Sequence, residues 1–156
     1  MPQLLDNHNR PLEYLRLAVT DRCNLRCFYC MPEEGIRYLP KKDLLTFEEI
    51  LRIVRIIAEM GIHKVRITGG EPFLRKDLMS LLRQIRAVPG IRDLHLTTNG
   101  LLTGPYIPEL KDLGIASVNM SIDTLDPERF KIITRRDEFH KTWESFTHLR
   151  EAGIRS

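Results

Sequence analysis

Apolar and polar residues alternate in short runs along this chain, and between those runs apolar residues recur every three or four positions. Leu15–Thr20 (LRLAVT), apolar and partly alternating, reads as a first strand, and Lys64–Thr68 (KVRIT), Asp93–Thr98 and Ser117–Ile122 (SVNMSI) read as three more. Thr46-Phe-Glu-Glu49 is a capping-box pattern, in which the hydroxyl and the Glu side chain each satisfy an orphan amide. Behind it Ile50, Ile53, Val54 and Ile57 keep helical spacing, and Gly61 suits the C′ position. Asp77 is expected to cap a helix through Val88, with Leu78, Leu81, Leu82 and Ile85 on one face. Tyr106–Leu113 is a helix stopped by Gly114, and Asp126-Pro127 joins an N-cap to a proline at N1. His140–Ala152 is the last helix, closed by Gly153, with Trp143 and Phe146 expected to cover the sheet; Ile154–Ser156 begins another strand.

Strands alternating with helices imply parallel βαβ units joined by right-handed crossovers, hence an α/β fold. A full eight-unit barrel usually needs about 250 residues. Four units make about half of one, so the expected architecture is an incomplete TIM-type barrel of parallel (βα) units. Residues 1–156 carry no repeat, low-complexity segment or linker and read as a single domain, incomplete at its C-terminal side. Two unpaired sheet edges favour self-association, or pairing with a chain that supplies the missing half.

Composition narrows the functional classes. With 156 residues the chain has room for a real core, and 42% hydrophobic with 29% charged residues is ordinary for a globular protein. No apolar run approaches about 18 residues, which argues against a membrane span. The N-terminus MPQLLDNHNR lacks the layout of a secretory signal. Twenty-four Lys and Arg against 21 Asp and Glu give +3, too small an excess to argue for nucleic acid. Three cysteines, an odd number, make a disulfide framework a poor reading and point to a reduced, cytoplasmic cysteine cluster.

Cys23-x3-Cys27-x2-Cys30 follows the first strand directly. In parallel α/β folds ligands gather at the carboxyl ends of strands, so the position favours a site. Three thiolates this close in sequence converge readily on one metal centre, either zinc or an iron–sulfur cluster. Structural zinc wants four protein ligands, and the nearest histidines, His8, His63 and His95, lack finger spacing. Three cysteines on a four-iron cluster would leave one iron open for an exogenous ligand.

DRCNLRCFYC resembles the signature of the radical S-adenosylmethionine (SAM) superfamily, C-x3-C-x2-C with an aromatic residue before the third cysteine, here Tyr29. Gly69-Gly70-Glu71-Pro72, after the second strand, is similar to the GGEP segment that receives the amino group of SAM. Within the superfamily, YLRLAVTDRCNLRCFYCMPEEGI, LLTFEEI, VRITGGEPFLRKDL, LTTNGLL and NMSIDTLD, in this order, resemble the molybdenum-cofactor biosynthesis protein A family, the GTP 3′,8-cyclases. The likeness runs from about Leu12 to the C-terminus.

That resemblance implies one 4Fe–4S cluster on Cys23, Cys27 and Cys30 and SAM as cofactor. Tyr29, Gly70, Glu71 and Ser121 would contact SAM: Tyr29 through its backbone, with its ring shielding the cluster, Gly70 by permitting close approach, and Glu71 by accepting from the ammonium. GTP would be the substrate, cyclised after hydrogen abstraction from C3′, with Arg16, Arg66 and Thr97 matching family residues that contact it. An electron donor of the flavodoxin or ferredoxin type is implied as partner. The arginine fork suits phosphate oxygens, although pairing with Glu71 or Asp123 is the plain alternative. The Asn of Asn99-Gly100 could shape the pocket or simply make a turn. Rival readings are a radical SAM enzyme with another small-molecule or peptide substrate and a non-catalytic zinc module. The resembled family also carries a C-terminal region with three further cysteines for a second cluster. This chain has only three, so alone it is expected to hold one cluster loosely, cleave SAM poorly and leave GTP uncyclised.

Overall fold

Residues 4–156 are described by a computed structural model. Four strands form one sheet in the order β1-β2-β3-β4: β1 (Tyr14–Ala18), β2 (Lys64–Thr68), β3 (Asp93–Thr98) and β4 (Ser117–Met120). All three pairings are parallel, with Arg16 beside Arg66, Arg66 beside His95 and His95 beside Ser117. Parallel neighbours need a crossover, and helices supply it. α1 (Phe47–Glu59) follows β1, α2 (Leu78–Arg86) follows β2, and α3 (Ile107–Asp112) follows β3. α4 (Pro127–Thr134) and α5 (Phe139–Glu151) follow β4. The sheet is open, as an incomplete barrel requires. Ile154–Ser156 form no strand, but the Val118 amide donates to the Arg155 carbonyl at 2.9 Å, so the chain returns alongside β4.

Local chemistry accounts for most boundaries. Thr46 and Glu49 close the capping box in both directions, at 2.7 and 3.2 Å, and such caps contribute about 1 kcal/mol. Asp126 accepts from the amides of Glu128 and Arg129, with Pro127 where its missing N–H costs nothing. Asp77 corrects the sequence expectation: it precedes α2 in a left-handed conformation (φ 60°) and makes no side-chain cap. The chain has just left a 3₁₀ turn over Pro72–Leu74, which sets that entry. β4 ends two residues earlier than expected, at Met120.

One apolar layer joins sheet and helices. Leu17, Val65, Ile67, Leu94, Leu96 and Val118 bury one side of the sheet under Val54 of α1, Leu81, Leu82 and Ile85 of α2, and Leu110 of α3. Fully burying a side chain of this size stabilises by roughly 1.5–3 kcal/mol. Trp143 and Phe146 do not cover the sheet. α5 buries Thr142, Ser145 and Leu149, while Phe139, Trp143 and Phe146 stack in a row at 6.2 and 5.1 Å between centroids, with Trp143 39% exposed.

Candidate active site

Strand side chains alternate between faces, and here the alternation separates two chemistries. Opposite the apolar layer, β1 carries Tyr14, Arg16 and Ala18, and β2 carries Lys64, Arg66 and Thr68. Asp93, His95 and Thr97 continue that face on β3, and Ser117 and Asn119 on β4. No branched aliphatic side chain lies on it. Parallel sheets normally bury both faces in apolar contacts, so a polar face on one is a place for a ligand.

The arginines on this face are not neutralised by acids. Arg66 donates from Nε to the Tyr14 hydroxyl at 2.8 Å, and from its guanidinium to the Leu96 carbonyl at 3.3 Å and the Thr97 hydroxyl at 3.5 Å. Among the described residues neither Arg16 nor Arg66 has a carboxylate within ion-pair distance, whereas Lys64 reaches Glu13 at 3.6 Å. The carboxylates that sequence reasoning offered as partners are engaged elsewhere. Glu71 is buried in its own network, and Asp123 accepts from the Tyr29 hydroxyl at 2.7 Å. Arg16 and Arg66 therefore present positive charge side by side, with Thr97 against Arg66. For His95, next to Arg66, burial first and then the Arg66 charge lower the pKa, and its Nδ1 lies 2.8 Å from the Ser117 hydroxyl. Lys64 was not singled out from sequence and His95 was named only as a nearby histidine for zinc, although their period-two offset from Arg66 and Thr97 put them on this face.

The cysteines lie in the loop that leaves β1 at its carboxyl end. Cys23 and Cys27 are half-buried and Cys30 is exposed, all three as free thiols. Amides of Cys30 and Met31 both donate to the Cys27 carbonyl, at 2.9 and 3.1 Å, which winds the second half of the motif into a tight turn. Arg26 ties down the first half by donating to the Cys23 and Leu25 carbonyls, and Arg135 reaches in from beyond α4 to the Arg26 and Met31 carbonyls. Burial pushes the Cys23 and Cys27 thiols up, the Leu25 amide opposes it at Cys23 and the Tyr29 hydroxyl at Cys27, and the neighbouring thiols push further up. Among the described residues no three His, Cys, Asp or Glu side chains gather tightly enough to hold one metal ion. A single zinc needs its donors on one atom. A four-iron cluster takes each cysteine on a different iron, so three cysteines on one would leave an iron for another ligand.

Gly69–Glu71 crosses beside this loop. Amides of Gly70 and Glu71 donate to the carbonyls of Thr20 and Arg22, at 2.8 and 2.7 Å. A Cβ on Gly70 would run into the Arg22 and Asp21 carbonyls, and one on Gly69 into Thr20. The space these glycines save is thus taken by the chain's own cysteine loop, not by a ligand. Glu71, expected to accept from an ammonium, is fully buried and accepts instead from the Phe73 and Asn99 amides and the Thr98 hydroxyl. Burial raises its pKa, and those three donors oppose the rise. Thr98 and Asn99 are partners that sequence spacing did not reveal. Ser121 is exposed just past β4, where its amide donates to the Thr98 carbonyl at 2.9 Å. Tyr29, mostly exposed, bridges from the cysteine loop to Asp123 beyond β4, so the loop and the β4 end are joined across the sheet. A cleft of about 600 Å³, walled by Arg22, Lys41, Phe47, Arg75 and Lys76, opens beside the start of α1.

Residues 17–156 match the radical SAM superfamily. The chain belongs to that superfamily. Its curated relatives include GTP 3′,8-cyclases from Alkaliphilus metalliredigens, 50% identical over 149 residues (96% of this chain, 47% of that protein), and from Petrotoga mobilis, 44% identical over 151 residues (97% and 47%). Molybdenum cofactor biosynthesis protein 1 of Bos taurus is 45% identical over 150 residues, covering 96% of this chain and 24% of that protein. The chain spans about half the length of the bacterial relatives it matches. Among solved structures, Streptococcus suis SuiB bound to S-adenosylmethionine superposes with a TM-score of 0.73 at 20% identity, over 91% of this chain and 30% of that one. HydG, a maturase of the [FeFe]-hydrogenase, gives 0.72 at 20% identity over 90% and 33%. These neighbours share the fold, and the radical SAM superfamily carries a 4Fe–4S cluster and SAM.

Proposed function

We propose that this chain forms the SAM-cleaving and phosphate-binding part of a GTP 3′,8-cyclase of molybdenum-cofactor biosynthesis. Support comes from one juxtaposition: the cysteine loop sits at the carboxyl edge of the same sheet whose polar face carries Arg16 and Arg66 without a carboxylate partner. Cys23, Cys27 and Cys30 would hold a single 4Fe–4S cluster, which when bound supplies the electron for reductive cleavage of SAM. The exposed Gly70, its amide already engaged, leaves a backbone carbonyl for the ammonium of SAM, and Ser121 and the backbone of Tyr29 would contact SAM as well. Glu71 serves by fixing that loop and not by touching the ligand. Arg16 and Arg66 would bind the triphosphate, since hydrogen bonds to charged groups contribute roughly 1.5–3 kcal/mol each, and Thr97 would hold Arg66 in place while offering a hydroxyl. An electron donor, such as a flavodoxin or ferredoxin, would act from outside.

The test is anaerobic incubation of the reconstituted chain with SAM, GTP and reductant, followed by mass spectrometry. Expected are slow release of 5′-deoxyadenosine and no cyclised nucleotide unless the remaining half of the relatives' length is supplied. Cyclised product from this chain alone would show that the polar face is already a complete substrate site. No 5′-deoxyadenosine from a chain carrying its full iron would refute the assignment of the site.

A further inference from the structure

We infer that Asn99 is a positioning residue for the cysteine centre, donating a side-chain hydrogen bond to Cys23 Sγ that raises the reduction potential of the cluster bound there. The inference rests on the proposed cluster and goes beyond it, because it concerns a residue that is not a ligand. Asn99 Nδ2 lies 3.8 Å from Cys23 Sγ and donates to Asn24 Oδ1 at 2.7 Å. Its orientation is not free: Oδ1 must accept the Leu101 amide, at 3.0 Å, so the amino group faces the sulfur. The backbone of Asn99 is anchored as well. Its amide donates to Glu71 Oε2 at 2.8 Å, the same buried carboxylate accepts from Thr98 at 2.9 Å and from the Phe73 amide at 3.1 Å, and Thr98 meets Thr103 at 3.1 Å. Glu71 and Thr103 are wholly buried, and Asn99 is 6% exposed. A turn asparagine needs the Leu101 contact and none of the buried network behind it. The network spans the ends of β2 and β3 and directs one N–H at one thiolate.

Its consequence follows from charge. Reduction adds an electron to the cluster and its thiolates, and an N–H dipole pointed at a ligating sulfur favours the more negative state. Burial makes the contact stronger than it would be in water. Asn99→Ser removes the N–H while keeping a short oxygen that can accept the Leu101 amide. Asn99→Asp keeps the shape and adds negative charge.

The experiment is an anaerobic potentiometric titration, read by EPR, of the reconstituted full chain and both variants, with iron content checked for each. Both variants should titrate at lower potential than wild type. For Asn99→Ser, the reduced-to-oxidised ratio at a fixed potential should fall by up to about tenfold, equivalent to about 59 mV for one electron. Asn99→Asp should fall further. A wild-type potential in an iron-replete Asn99→Ser chain would overturn the inference, even if Asn99→Asp shifted, because charge alone would then be responsible. Should the Ser variant fail to keep its cluster, wild-type protein labelled with ¹⁵N-asparagine decides. Pulsed EPR of the reduced state should show coupling to a side-chain amide nitrogen, and its absence overturns the hydrogen bond. A wild-type chain that takes up no iron and sulfide would instead strike down the cluster itself, a result visible before any potential is measured.

Discussion

Leu94 and His95 are neighbours on β3 and serve opposite ends. Leu94 is fully buried under the helices; His95 turns to the other face, beside Arg66 and the Ser117 hydroxyl. The same split repeats on each strand, with Leu17 against Arg16, Ile67 against Arg66 and Val118 against Asn119. Folding energy is concentrated on one face, where burial is complete and substitution leaves a cavity. The other face holds arginines hydrogen-bonded to neutral oxygens, an arrangement that adds little to stability and keeps charge available. Stability and ligand chemistry are therefore separable by mutation, one residue apart.

The largest effect belongs to the loop at the edge of the polar face. Cys27→Ala is expected to abolish both iron loading and 5′-deoxyadenosine release, since two thiolates do not hold a four-iron cluster stably. Retained iron with retained cleavage would remove Cys27 from the site. Next comes the apolar face. Leu96→Ala should cost about 2–5 kcal/mol of unfolding free energy, measured by urea denaturation, because the side chain is fully buried and its cavity cannot close. A cost below about 1 kcal/mol would mean that the helix layer is looser than its burial implies.

Arg66→Ala sharpens the contrast from the other side. GTP binding, measured by anaerobic titration calorimetry, should weaken about tenfold or more, while unfolding free energy stays within about 1.5 kcal/mol of wild type. Unchanged affinity would leave Arg66 a purely structural hydrogen-bond donor to Tyr14. The smallest effect is expected from Thr97→Val, which removes one neutral hydroxyl at 3.5 Å from Arg66. At that length the bond is weak despite the charge on Arg66, so its loss should cost no more than about 1 kcal/mol and nucleotide affinity should fall about threefold with the cluster intact.

How much of this was legible along the chain depended on the range of the interactions. β2 and β3 were readable to the residue because alternation is local, and α1 because its capping box lies within four positions. The short β4, the uncapped Asp77 and the outward aromatic row of α5 were not, since each depends on what the neighbouring element leaves open. At the site, cysteine spacing announced a metal centre, while Arg16 and Arg66 were named through the family resemblance and the shared polar face emerged only from the sheet register. The work of Glu71 was hidden: its partners Thr98 and Asn99 stand 27 and 28 residues away, and only folding shows that the carboxylate points into the chain. Gly70 was recognised as necessary, but what it accommodates is the Arg22 carbonyl.

The central claim is that Cys23, Cys27 and Cys30 carry a 4Fe–4S cluster beside the polar face. Anaerobic reconstitution followed by iron and sulfide counting and a visible spectrum tests it most directly. Expected are about four irons and four sulfides per chain, a broad absorption near the violet end of the visible range, and loss of both in Cys27→Ala. A colourless protein that binds one zinc per chain under the same conditions would contradict it.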